Sequence, residues 1–457
     1  MTRLLSIDGA PRLGAACWLL LALGGCREAT APRPLAVQLG ALTPAEDLDP
    51  APNRIHVRLT ASRVSENPLK YAYNGLSPGP VIRGRVGDHL TVDLQNDLLA
   101  PTTIHWHGLR VPWAMDGVHW MHDPVAPGGQ FTYEFDLLHA GTYWYHPHFD
   151  TESQVDAGLY GLLIVEDPAE PAAEELLLVF DAEGERRAVD DLPVGDPGRP
   201  AHGHGGRAVH WTINGQPAPV RQAVRGGQSV RVRALNASNV GYLALTWPGL
   251  RQIGGDQGRL AAPETPDTLV LAPGDRVELE WLPGRESFTV AGLPWSLNGG
   301  RTYEPAMPLI EVDVEGPTDP PAPLALPYSN AAPAPDPPYS DLIYSFQGSD
   351  RLGRWLINGE AFPNITIERA SPARPPVLEL RNLSASHHPF HSHGMPFEVL
   401  SVDGTPPAHR TVEDTFDVGV HQRVRVRLLP EAPGDWMMHC HILPHADDGM
   451  MTVLRVE

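Results

Sequence analysis

The sequence predicts an all-β chain built from repeated sandwich domains, and three observations carry that prediction. Pro (49) and Gly (44) are frequent while charged residues make up only 19% of 457 residues, a mix that suits short strands joined by turns and not long helices. Runs of alternating polarity recur at Arg54 to Arg63, His89 to Gln95, Gln130 to Phe135, Ser229 to Leu235, Arg276 to Trp281, Arg423 to Leu428 and Met451 to Val456; such runs read as sandwich strands with one face buried. An internal repeat opens at Tyr73-Asn74-Gly75, Ile213-Asn214-Gly215 and Ile357-Asn358-Gly359. The repeats follow one another about every 140 residues, a length suited to one β-sandwich domain. A chain of 49.7 kDa is too long for one core and should form two to four domains.

Taken in order, residues 1–26 read as a leader. An apolar stretch from Leu13 to Leu23 stands behind Arg3 and Arg12 and is too short to span a membrane stably. Leu23-Gly24-Gly25-Cys26 resembles the lipobox of bacterial lipoproteins, which implies lipidation of Cys26 as the mature N-terminus; an ordinary cleaved signal peptide is the alternative. Both readings export the protein. Residues 35–167 form the first domain, running from the repeat opening through Pro80, Gly87 and Asp88 to Asn96, with His105 nine positions later. The second domain, 175–315, ends the same stretch at Asn236 but then offers Leu245-Thr246-Trp247 and no metal ligand, so it reads as a spacer. A Pro-rich connector, 316–340, precedes the third domain, 341–457, where Asn382 is again followed nine positions later by a histidine, His391.

The chemistry concentrates in four histidine segments. These are His105-Trp106-His107-Gly108, His146-Pro147-His148, His388-Pro389-Phe390-His391-Ser392-His393 and the closing His439-Cys440-His441, followed by His445 and Met450. In a strand the side chains alternate, so His439 and His441 face one way and Cys440 the other, and one short segment can reach two metal sites. Thiolate, imidazole and a weak thioether form the ligand set of a blue-copper electron-transfer centre. Zinc closes with four ligands and has no redox use, which would leave most of these imidazoles unexplained.

With four such motifs in order from residue 105 to residue 450, the chain resembles the multicopper oxidase family, the laccase-like enzymes. The resemblance implies three cupredoxin-like Greek-key β-sandwich domains and four copper ions. It implies type 1 copper on His388, Cys440 and His445 with Met450 axial, type 2 copper on His105 and His391, and a type 3 pair on His107, His146, His148, His393, His439 and His441. Electrons from a small reducing substrate, a phenol or aromatic amine, would pass through Cys440 to His439 and His441, and dioxygen would become water. Where the third domain has Cys440 the first has Pro147, which cannot carry an electron. Asp116 matches an acidic residue the family uses to supply protons, although an Asp before Gly117 also suits a turn. Many bacterial relatives carry Glu after the second type 1 histidine; here that position is Ala446, and Asp447 or Asp448 would have to substitute.

A formal charge of −21 argues against a nucleic-acid backbone as partner and mildly favours cationic substrates. A metallo-oxidase acting on cuprous or ferrous ions is therefore the rival reading, although nine Met without a Met-rich insertion weaken the cuprous case. A non-catalytic envelope scaffold could lose ligands, whereas none is missing; a nitrite reductase has no use for the full type 3 set. The expected protein is a monomer on the periplasmic face of the envelope, touching the membrane only through its lipid anchor. His202, His204, His119 and His122 read as loop histidines, and His387 and His421 as structural.

Overall fold

A computed structural model describes residues 37–66, 68–120, 122–171, 173–183, 210–284, 286–293, 295–296, 300–301, 306–316 and 322–457. The leader with Cys17 and Cys26, the loop carrying His202 and His204, and residues 317–321 of the connector lie outside the described residues.

The strands pair into three sets of two facing sheets, as expected of an all-β chain of cupredoxin-like sandwiches. The first set holds four strands in the order 69–73, 54–66, 89–96, 130–136 and four in the order 82–85, 161–166, 141–146, 105–107. The second, drawn from residues 174–315 with a short strand Val37–Gln38 added at one edge, has seven and six strands. The third has six and five strands within residues 342–456. Each set closes over its own apolar cluster, represented by Leu59, Val92 and Tyr133, by Val232, Leu279 and Trp281, and by Leu380, Val426 and Phe397.

The repeat is built by side-chain amides. Asn74, Asn214 and Asn358 take φ of 54°, 53° and 54°, each followed by a Gly with positive φ, the two-residue turn that Asn-Gly favours. Each Asn Oδ1 accepts a backbone amide of a neighbouring strand, from Thr60, Val179 and Ser345. Each Nδ2 donates back to a carbonyl two residues earlier, of Arg58, Leu177 and Ile343. Asn96, Asn236 and Asn382 recur at the other end of the stretch, fully buried, each spanning two loops with its amide.

The expected strands are present, but several are buried on both faces. Val230–Asn236, Arg276–Trp281 and Gly141–His146 show no exposed position. A fourth apolar cluster explains this for Val230–Asn236 and Gly141–His146: Val81, Trp144 and Tyr160 of the first repeat pack with Val179 and Leu235 of the second and Leu443 of the third, while Arg276–Trp281 lies against Gly141–His146. The outer faces of these sheets therefore meet another sandwich where solvent was expected. Two short helices, Thr151–Asp156 and Leu443–Asp447, lie against each other; neither has a periodic apolar pattern long enough to be read from sequence.

Candidate metal centre

Strand pairing sets the histidines opposite one another. His105 pairs with His146 in the first repeat and His391 with His439 in the third. The His-x-His segments of the two repeats then stack crosswise, His105 on His393 at 3.8 Å and His107 on His391 at 3.7 Å between ring centroids. His146, His148, His439 and His441 surround these stacks, so eight buried imidazoles share one enclosure. The strand Gly434–Cys440 ends one residue before His441, so the expected alternation holds only to Cys440. His441 reaches the enclosure from the turn into the last helix.

The outer nitrogens of these rings are tied down. His105 Nδ1 donates to Asp116 O (2.9 Å), His146 Nδ1 to Pro147 O (2.8 Å), His391 Nδ1 to Asp414 O (3.0 Å) and His439 Nδ1 to Cys440 O (2.9 Å). His393 Nδ1 donates to Asp116 Oδ2 at 2.8 Å. His107 is reversed: its Nε2 donates to Asp414 Oδ1 (3.1 Å) and Thr415 Oγ1 (3.0 Å). A ring that donates outward presents a bare lone pair inward. The inward nitrogens of His105, His107, His146 and His391, with both of His441, are buried without a hydrogen-bond partner. His439 Nε2 lies 3.0 Å from His393 Nε2 and 3.4 Å from His148 Nε2. Lone pairs aimed at one another in a dry enclosure are unfavourable unless a cation lies among them, so the donor set fits metal ions.

Burial is the first cause of the low basicity here. It holds His107, His146, His148, His393 and His441 well below the ordinary imidazole value, lowers His391, and pushes His439 down to about 3. The imidazoles stay neutral and available as ligands. Burial alone would raise the Asp414 carboxyl, but the Arg276 guanidinium beside it holds it well below the carboxylate range.

On the other face of the last strand, Cys440 Sγ lies 3.5 Å from His388 Nδ1 and 3.6 Å from His445 Nδ1. The three ligand atoms fall within one metal-sized group. Ser384 Oγ, 2.7 Å from His388 Nε2, fixes the outer nitrogen of that ring, and Trp355 stacks on His445 at 3.8 Å. Met450 is fully buried in the same apolar cluster, and its carbonyl accepts the Cys440 amide at 3.1 Å. Burial pushes His388 down to about 3 and the Cys440 thiol up.

Of the two expected carboxylates, Asp116 is fully buried and joined to His393. Asp447 is turned to solvent, and its Oδ2 accepts the Glu152 amide of the first-repeat helix at 3.0 Å. Although the residue keeps an exposed face, loss of hydration around its carboxylate, and after it the charges of Asp150 and Asp448, push that carboxyl up to about 6. His119 Nδ1 donates to His148 O, His122 stacks on Phe131, and His387 Nδ1 donates to Asp417 Oδ2. Sequence reasoning missed Asp414, Thr415, Arg276, Trp355 and Ser384. Only Ser384 left a trace, in the Asn-x-Ser pattern of Asn236-Ala237-Ser238 and Asn382-Leu383-Ser384.

The chain belongs to the multicopper oxidase family, whose sequence patterns match residues 59–170 and 335–457. It is therefore a copper-dependent oxidoreductase of a family that uses dioxygen and reducing substrates. It is 28% identical to the multicopper oxidase MmcO of Mycobacterium tuberculosis, over 95% of this chain and 94% of that protein. Among solved structures, a multicopper oxidase from Pseudomonas thermotolerans is 30% identical with a TM-score of 0.73, covering 88% of this chain and 99% of that one. One from Campylobacter jejuni, described as a metallo-oxidase, is 26% identical with a TM-score of 0.75 over 93% and 96%.

Proposed function

We propose that this protein is a laccase-like oxidase that couples four one-electron oxidations of a phenol or aromatic amine to the reduction of dioxygen to water. His388, Cys440 and His445, with Met450, would hold one copper. His105 and His391 would hold a second, and His107, His146, His148, His393, His439 and His441 a pair. Bound there, copper would supply reversible one-electron chemistry beside the thiolate and dioxygen reduction among the eight imidazoles.

The observation that carries this reading is the placement of Cys440 between His439 and His441, which joins the two ligand groups by one stretch of backbone. The chain's own residues do the rest. Ser384 and Trp355 orient His388 and His445 and keep water from the thiolate. Asp116 sits where a carboxylate can hold a proton next to the enclosure, its Oδ1 3.4 Å from His105 Nδ1 and its Oδ2 on His393.

Two features support an organic donor. The cover over the thiolate group is aromatic and hydroxylic, and Leu352 and Leu383, on the loops that carry Trp355 and Ser384, are each 59% exposed, an apolar surface suited to an aromatic ring. The metallo-oxidase reading draws on the Campylobacter relative and on the −21 charge. Air oxidation of a phenol, ferrous ion and cuprous ion by the copper-loaded protein decides between them. A kcat/KM at least about tenfold higher for the phenol supports the laccase-like reading; a preference for either ion replaces it. Export, a lipid on Cys26 and a monomeric state complete the proposal on the strength of the leader sequence and the enclosed site, and the mass of the mature N-terminal peptide checks the lipid.

A further inference from the structure

The middle repeat supplies no imidazole, yet it reaches the eight-histidine enclosure through Arg276, Asp256, Gln257 and Gly274. Arg276, on the strand Arg276–Trp281, is 1% exposed. Its guanidinium uses all five N–H groups. Nε donates to Thr142 O (3.1 Å), Nη1 to Gly274 O (3.1 Å) and Asp414 Oδ1 (2.8 Å), and Nη2 to Asp256 O (3.1 Å) and Asp414 Oδ2. The carboxylate at the end of this fork is the one that accepts from His107 Nε2, and the Asp414 carbonyl accepts from His391 Nδ1. Asp256, also from the middle repeat, grips the next residue, its Oδ2 accepting the Thr415 amide at 2.9 Å.

Two glycines leave room for this contact. At Gly108, φ +87°, a Cβ would lie 2.4 Å from Arg276 Nη2 and 2.7 Å from Asp414 Oδ2. At Gly274, φ +90°, a Cβ would lie 2.9 Å from the His441 ring. The Gly that closes His105-Trp106-His107-Gly108 thus makes space for a cation from another domain, and a turn of that domain rests on a site imidazole.

We propose that Arg276 is a positioning residue of the trinuclear centre: through Asp414 it fixes which nitrogen of His107 faces the metal ions and where His391 stands. A bidentate guanidinium holds a carboxylate in one orientation as no point charge can, and losing the partner of a metal-bound imidazole weakens metal binding by about 10- to 100-fold. The proposal rests on the copper-oxidase reading above. In these terms the middle repeat is part of the site, not the spacer its lack of ligands suggested.

Copper itself is the probe. Wild type, Arg276→Met, and Arg276→Met combined with Asp414→Asn are loaded as full chains, and bound copper per chain is counted. The visible band of the thiolate site and the cupric paramagnetic resonance spectrum are recorded alongside. Arg276→Met should keep the thiolate band, since that group lies on the other face of the strand, while copper at the histidine enclosure binds about 10- to 100-fold more weakly. The double variant, which removes the guanidinium together with the carboxylate it grips and leaves Asp256 on the Thr415 amide, should fold and show the same selective loss. Full trinuclear copper in either variant that retains the thiolate band overturns the proposal. If Arg276→Met fails to fold, the double variant decides alone. Wild type that takes up no copper would overturn the oxidase reading itself, and is thereby told apart.

Discussion

Single atoms decide the chemistry of this enclosure. Whether an imidazole is a ligand depends on which nitrogen carries the proton, and here backbone carbonyls at residues 116, 147, 414 and 440 choose for four rings. Asp116 chooses for a fifth. Asparagine at position 116 can still accept the His393 proton but cannot take up a proton of its own. Asp116→Asn should leave copper content unchanged and slow turnover by about a hundredfold; unchanged kcat would remove Asp116 from proton delivery. The neighbouring Gly117 shows how tightly the loop is held. Its φ is +79°, and a Cβ would meet Ile104 O at 1.7 Å. Gly117→Ala should lower stability by more than about 2 kcal/mol in urea unfolding. The ligand residues were legible in the sequence because imidazole clusters are chemically rare and closely spaced. Their partners were not, since Asp414 contacts His107 from 307 residues away and a carboxylate at a bend between two short strands carries no local pattern.

Among the elements, the strand Gly434–Cys440 does most. It pairs with His388–Ser392 on one side and Met451–Val456 on the other, which brings His439 opposite both His391 and Met451. The loop after Asn382 depends on that residue's amide, which donates to Ser386 O, Val418 O and Gly419 O and accepts the Ser384 amide. Asn382→Ala would leave these buried groups unpaired, at a cost of about 3 kcal/mol. It would also free Ser384, so the absorption band of the thiolate site should shift or weaken; a variant with normal stability and an unchanged band would show that the loop holds itself. Strand positions were legible from alternation, and the expected run Arg276 to Trp281 coincides with the observed strand. Its two-sided burial was not, because the second covering layer comes from a different repeat and leaves no period-two mark.

At the scale of the molecule, eight buried histidines of the two ligand groups, all with lowered basicity, couple metal-free stability to pH: His107, His146, His148, His388, His391, His393, His439 and His441. Each binds a proton more readily unfolded, near 6.5, than folded. The stability its neutrality gives is present above that value and is lost as pH falls below it, at about 1.4 kcal/mol per pH unit for each ring that stays neutral. Urea midpoints of the copper-free protein should therefore drop steeply between pH 7 and pH 5, while copper loading, which binds only the folded form, should flatten that dependence. A pH-independent midpoint for the copper-free protein would mean that the enclosure opens to water without its ions. The number of repeats was visible in Asn74, Asn214 and Asn358, whereas the engagement of the middle one with the centre was invisible, because Arg276 reads as one more strand cation.

Cys440 has a bearing on how the protein survives before it is metallated. Among the described residues it is the free cysteine, 1% exposed and capped from solvent with its thiol held protonated. Thiolate is the form that attacks disulfides and electrophiles, so the folded chain carries this thiol in an inert state. It can wait in an oxidising compartment without cross-linking, and alkylation of Cys440 by a maleimide becomes a clock for the opening through which a metal ion must enter.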